Sequence, residues 1–243
     1  MVASVVATYT SVQGDGGGLG LAVTTDGTPA TDDYLVVGLG VNANADTLTP
    51  PGGWTEATVG DNVVTTSGGQ FRAWYLKNPA ASTTYTWSVS TSTRRSIIGV
   101  LVRGADTTTF IDVKGSLESA IGSSHAPPAV TTTGADRLII DFAFHRQFSP
   151  DAAGWTPPAS GLTWTKHADI QGADSNNNVR LAVGSAPAPS AGAVSTAAWT
   201  SVDTFEECLI LRIAVISTAG AAPTALQPQP IVAPSPAAFR ATW

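Results

Sequence analysis

The chain has one cysteine, three lysines and four glutamates in 243 residues. A single thiol excludes an intrachain disulfide. Its setting, Cys208-Leu-Ile-Leu211, reads as a buried strand in which the thiol is a small apolar side chain. Charged residues make up 12%, about half of what soluble domains usually carry. Helix bundles and coiled coils need Glu, Lys, Leu and Arg at helical spacing, so both are excluded. The net charge is −6, and no basic run is denser than Arg94-Arg95. Sequence-independent nucleic-acid binding depends on clustered Lys and Arg, so nucleic acid is not an expected partner. The longest apolar stretches, Ile97–Val102 and Cys208–Ile216, fall far short of the roughly 20 residues a bilayer-crossing helix requires. Met1 to Thr8 has neither the positive start nor the long apolar segment of a secretory signal. Neither membrane insertion nor an export signal is expected.

What the chain does have is turn residues, with 24 glycines and 16 prolines spread along it. Asp26-Gly27, Pro50-Pro-Gly-Gly53, Ser67-Gly-Gly69 and Asn78-Pro79 punctuate short strand-like runs. In Tyr85-Thr-Trp-Ser-Val-Ser90 apolar and hydroxyl residues alternate, as in a sheet with one buried face. Val179, Leu181 and Val183 alternate in the same way. The runs at Leu35, Ile97, Leu138 and Cys208 are continuously apolar, which suits central strands covered on both sides. Short strands at regular spacing predict an all-β fold, a jelly-roll-like antiparallel β-sandwich. A single helical turn is predicted at 116–121.

The pattern occurs twice. Asp33-Tyr-Leu-Val-Val resembles Asp136-Arg-Leu-Ile-Ile, Thr49-Pro-Pro51 resembles Thr156-Pro-Pro158, and Trp54-Thr-Glu56 resembles Trp164-Thr-Lys166. Arg72 and Arg180 centre matching strands, and Trp87 and Trp199 each stand ten residues before an apolar run. The spacing drifts from 103 residues (Asp33 to Asp136) to 112 (Trp87 to Trp199), as loop insertions would make it. Two homologous halves are therefore predicted: 1–113 and 129–217, joined by a linker at 114–128 and followed by an extended Pro/Ala-rich arm at 218–243. The paired tryptophans are predicted core.

The motifs of catalysis are missing. The four glutamates do not form a converging acid pair, and adjacent Glu206 and Glu207 point to opposite faces of a strand. His125, His145 and His167 are scattered, with no nucleophile elbow and no zinc spacing. Asp174 to Asn178 spaces oxygen ligands as a calcium loop does, but Val179 replaces the needed glycine, so it reads as a polar turn. Gly14 to Gly20 lacks phosphate-loop spacing and reads as a flexible loop. No catalytic residue, metal or cofactor is expected.

Two segments carry candidate binding residues. The second half is seven residues longer than the first between its Phe144 strand and Trp164. That insertion holds His145, Arg146, Phe148 and Trp155, aromatics suited to stacking on a sugar or filling a partner's pocket. The arm has prolines at 223, 228, 230, 234 and 236, which bar a ladder and favour an extended chain reaching roughly 80 Å. Ile231, Val232, Phe239 and Trp243 are its apolar anchors.

The doubled series of an Asp-x-Leu-Val-Val strand, Pro-Pro-x-Gly-Trp-Thr, an Arg-centred strand and a Tyr-Thr-Trp strand resembles a group of duplicated β-sandwich proteins from virions of tailed bacteriophages of high-GC bacteria. These are described as minor tail or structural proteins. The resemblance spans residues 20 to 216 and implies a non-enzymatic virion component. Its partners would be other virion proteins and further copies of itself in a symmetric assembly. Tail tip or tail decoration is the first expectation. Capsid decoration, or a carbohydrate-binding module attaching to host-surface glycan, is the alternative. A chain without export signal or disulfide is expected to be made in the host cytoplasm and released by lysis.

Overall fold

A computed structural model describes residues 1–13, 19–43, 46–58, 64–65, 68–91, 94–119, 121–147, 154–172, 178–205 and 208–218. The first half contributes β1 (Ser4–Gln13), β2 (Gly20–Thr24), β3 (Tyr34–Val41), β4 (Leu48–Thr49), β5 (Thr55–Glu56), β6 (Gln70–Lys77), β7 (Thr84–Val89) and β8 (Arg95–Arg103). A large sheet runs β1-β8-β3-β6-β5 and a small one β2-β7-β4, all antiparallel. This is jelly-roll order, with each consecutive strand crossing to the facing sheet over most of its length.

The second half contributes β9 (Ile111–Ser119), β10 (Gly122–His125), β11 (Thr131–Thr132), β12 (Arg137–Gln147), β13 (Thr165–Gln171), β14 (Asn178–Ala188), β15 (Gly192–Ala193), β16 (Trp199–Phe205) and β17 (Cys208–Ile216). Its large sheet runs β9-β17-β12-β14-β13, strand for strand the order of the first. The short pairs β10-β16 and β11-β15 stand where β2-β7 stands in the first half. A lone bridge from Thr156 to Thr200 repeats the pairing of Thr49 with Ser88. The all-β sandwich and its doubling are as predicted.

The predicted linker and helical turn are not there. Residues 111–119 form β9, the edge strand of the second sheet and the counterpart of β1. Both strands carry a bulge at the same place, between Val5 and Ala7 in β1 and between Ile111 and Val113 in β9. The strand was hidden because an edge tolerates polar residues: Asp112, Lys114 and Glu118 dilute the alternation of Ile111, Val113 and Leu117.

The two large sheets pack back to back, giving four layers. Each jelly roll has its own core: Leu35, Trp74 and Trp87 in the first, and Trp155, Trp199 and Ile210 in the second. Between the halves lies a third core, where Val36, Phe71 and Ile98 meet Phe142, Leu181 and Leu211. This explains the continuous apolar runs, whose strands are covered on both faces. Trp87 and Trp199 are fully buried, and Trp54 and Trp164 pack edge-on against them at 4.7 and 5.9 Å.

The structure shifts the sequence match at the third strand by one residue. Asp32 and Asp136 both take positive φ (68° and 56°), a spacing of 104 rather than 103. Tyr34 and Leu138 then both face the central core, as they must, since a one-residue slip would turn every side chain to the other face. In this register Gly38 and Gly40 correspond to Phe142 and Phe144, and they are also what those rings pack on. A Cβ on Gly38 would lie 2.8 Å from the Phe142 ring, and one on Gly40 2.5 Å from the Phe144 ring. One half supplies the hollows and the other the knobs, at equivalent positions of equivalent strands.

No helix among the described residues is long and apolar enough to cross a membrane.

Candidate functional site

Two of the rings assigned to the long loop of the second half are not presented to solvent. His145, near the end of β12, and Trp155 are fully buried, which corrects the expectation of an exposed sugar-stacking surface. Trp155 sits edge-on between His125 and His145, with ring centroids 5.5 Å from each, and packs against Trp199. Its backbone is held as firmly. The Trp155 N–H donates to Asp169 at 2.7 Å and its carbonyl accepts from Lys166 Nζ at 2.7 Å, while Arg180 Nε holds the other Asp169 oxygen at 2.8 Å. Trp155 is thus the plug that closes this end of the jelly roll. Arg146 is half-buried beside it, and Phe148 lies outside the described residues. Trp155→Ala is expected to cost about 3–5 kcal/mol, read as a fall in the denaturation midpoint.

All three histidines are in the second half, and burial lowers the pKa of each. His145 falls furthest, from 6.5 to about 3, pushed first by burial and then by the Arg180 charge. His125 donates from Nε2 to the Gly122 carbonyl at 2.8 Å and accepts from the Ser119 hydroxyl at Nδ1, which fixes its neutral tautomer. Because the folded state prefers neutral imidazole, this stability is complete above the unfolded value near 6.5 and is lost as pH falls from there toward 3. Between pH 7 and 4.5, His145 alone is expected to remove about 2–3 kcal/mol. Urea titrations across that range check it, and His145→Gln should flatten the slope.

The second jelly roll also encloses an ion pair. Asp141 and Arg212 face each other across β12 and β17, both fully buried, with contacts of 2.8 and 2.7 Å. Trp199 Nε1 donates to the same carboxylate at 3.1 Å, and Arg212 donates to the Ser195 carbonyl at 2.7 Å beneath the Trp164 ring. Burial raises the Asp141 carboxyl, against the pull of Arg212 and Trp199. The pair is sealed from solvent and can hold shape but cannot meet a ligand. Burial likewise raises the Cys208 thiol well above its ordinary value.

The place where the two halves leave room is a cleft of about 370 Å³. One wall is the start of β1, Val2 to Val5. The other is Leu138, Thr165, His167, Ser185 and Pro187 of the second half. His167 Nε2 and Ser185 Oγ are hydrogen-bonded at 2.7 Å on its polar side. No carboxylate stands among these lining residues, so the cleft suits an apolar segment with a few polar contacts. Sequence reading missed it because its walls, Val2 to Val5 and Leu138 to Pro187, lie far apart in the chain. The only signal was an uncharged, apolar N-terminus.

Beside the cleft the first residues are tied to the segment that follows β17. The Ala3 N–H donates to Ser217 Oγ at 2.9 Å, and the Met1 ammonium donates to the Thr218 carbonyl at 3.1 Å. Thr218 in turn donates to the Gly104 carbonyl through both its N–H and its hydroxyl. The arm residues Ile231, Val232, Phe239 and Trp243 lie outside the described residues.

No protein-family model, curated protein or solved structure matches this chain.

Proposed function

We propose that the chain is a non-enzymatic structural protein of a phage virion, at the tail tip or as a tail or capsid decoration, and that it works by being placed among other virion proteins. The observation that carries this reading is where its exposed apolar side chains lie. Among the described residues seven large apolar side chains stand exposed, and five of them, Met1, Val2, Val6, Val12 and Leu19, belong to the first 19 residues. Val6 and Val12 stand on β1, the edge strand of the first large sheet, and Met1 and Val2 lead into it.

A bare edge invites pairing with another chain, and proteins blunt it with charges, proline or a β-bulge. The second half does so: β9, at the equivalent edge, carries Asp112, Lys114, Gly115 and Glu118. β1, Ser-Val-Val-Ala-Thr-Tyr-Thr-Ser-Val-Gln, has no charge, no glycine and no proline. Two copies of one architecture thus differ in the device that prevents association. Both edges share the bulge, so what β1 lacks is charge, and that uncharged edge supports a surface meant to be covered.

Val6→Lys with Val12→Lys would give β1 the protection β9 has. The variant is expected to melt like the parent, since both side chains are exposed, and to be missing from purified particles made by the encoding genome. Normal incorporation would contradict the reading.

A further inference from the structure

We propose that the cleft between the two jelly rolls receives the C-terminal segment 219–243 of a second copy of this chain. This rests on the structural reading above and names its partner and its site. Three observations lead there.

The first is the fit of the occupant. The segment contains five prolines and five large apolar residues, and its only charge is Arg240. Proline keeps such a chain extended before it binds, which lowers the cost of ordering it. Ile231-Val232 stands between Pro230 and Pro234, a short aliphatic stretch framed by stiff flanks. The cleft has matching character: aliphatic walls at Val2, Val5, Leu138 and Pro187, no charged lining residue, and Thr165, His167 and Ser185 to meet backbone carbonyls. At about 370 Å³ it takes a few side chains of an extended peptide rather than a folded domain.

The second is the starting point. The described chain ends at Thr218, hydrogen-bonded to Met1 and next to the residues that form one cleft wall. With 25 residues beyond it, the segment has ample reach at about 3.1 Å per residue.

The third is direction, and it favours a neighbour's cleft over the chain's own. Ser217 binds at Ala3 and Thr218 at Met1. The chain therefore runs from Ala3 toward Met1, opposite to the wall that runs from Val2 to Val5. Ser217 and Thr218 thus run past Met1, away from the cleft wall at Val2 to Val5. Each copy then offers one arm and accepts one, a head-to-tail contact that closes into a ring when the rotation per step permits.

The test uses two full-length variants. Ile231→Asp with Val232→Asp spoils the arm. Val2→Arg with Ser4→Arg blocks the cleft through two exposed side chains, leaving the cores intact, and an unchanged melting curve verifies this for both. By light scattering the parent should exceed the monomer mass and each variant alone should be monomeric. An equimolar mixture should recover a one-to-one pair, because one variant keeps its cleft and the other its arm. A monomeric parent, a variant that still assembles alone, or a mixture that stays monomeric would each overturn the proposal. A monomeric parent still found in purified particles would sink cleft docking and leave the virion reading standing. Absence from particles would sink the virion reading.

Discussion

Arg212→Met is expected to destabilise the protein by about 3–5 kcal/mol, because it leaves Asp141 as a buried charge without its partner. The environment makes that cost hard to escape. Both side chains have no exposure, β12 and β17 lie in the interior of their sheet, and among the described residues Arg212 is the cation paired with the Asp141 carboxylate. Asp141→Leu should cost a similar amount, leaving the guanidinium with the Ser195 carbonyl alone. The double variant is the informative one. The first jelly roll fills the corresponding ladder position with Val37 opposite Gly99 and needs no charge there. An apolar pair of similar volume should therefore recover most of the loss, as replacement of buried ion pairs by apolar groups often does. Chemical denaturation of the two single variants and the double checks it. Additive single and double losses would show that the pair acts through something other than its mutual compensation.

Gly40→Val is expected to damage the interface between the halves by overpacking it. Even a methyl group at this position would sit 2.5 Å from the Phe144 ring, and the ring is itself held between Phe71 and the β14 strand. Overpacking of this kind costs about 1–3 kcal/mol and more for larger groups. Phe144→Ala fails in the opposite sense, leaving a cavity at about 3–5 kcal/mol. The two errors should partly cancel. Gly40→Ala combined with Phe144→Leu is expected to be more stable than the sum of its parts by more than 0.5 kcal/mol, the usual scale of coupling between touching residues. A strictly additive result would mean that the large sheets are not packed on one another through β3 and β12.

Much of the architecture was legible in the chain because burial on two sides leaves a plain mark. The runs at Leu35, Ile97, Leu138 and Cys208 are apolar at every step, and each is a strand lying between two layers. The recurring tryptophans were legible for a related reason, since each half needs one large ring to fill the same hollow. β9 was not legible, because a strand at an edge obeys solubility as much as packing. Register was legible only to within one residue. Matching Asp33 with Asp136 follows the letters, whereas the positive-φ turn places Asp32 there instead. That single step separates facing the central core from facing the outer layer.

The candidate site was the least legible part. Trp155 reads as a loop aromatic and turns out to be a plug, since nothing in its local sequence announces the His125–His145 slot waiting for it. The cleft is built from residues that gain meaning only when the first strand of one half is laid against the second sheet of the other. What the sequence did announce, an N-terminus without charge, gains its sense from the charged edge of its twin.

We propose that this chain acts as a placed part of a virion. Cryo-electron microscopy of intact particles made by the encoding genome tests it most directly. The account predicts repeated density for two stacked jelly rolls, with the β1 edge of each copy covered by a neighbouring chain. Particles that are complete without the protein would contradict it.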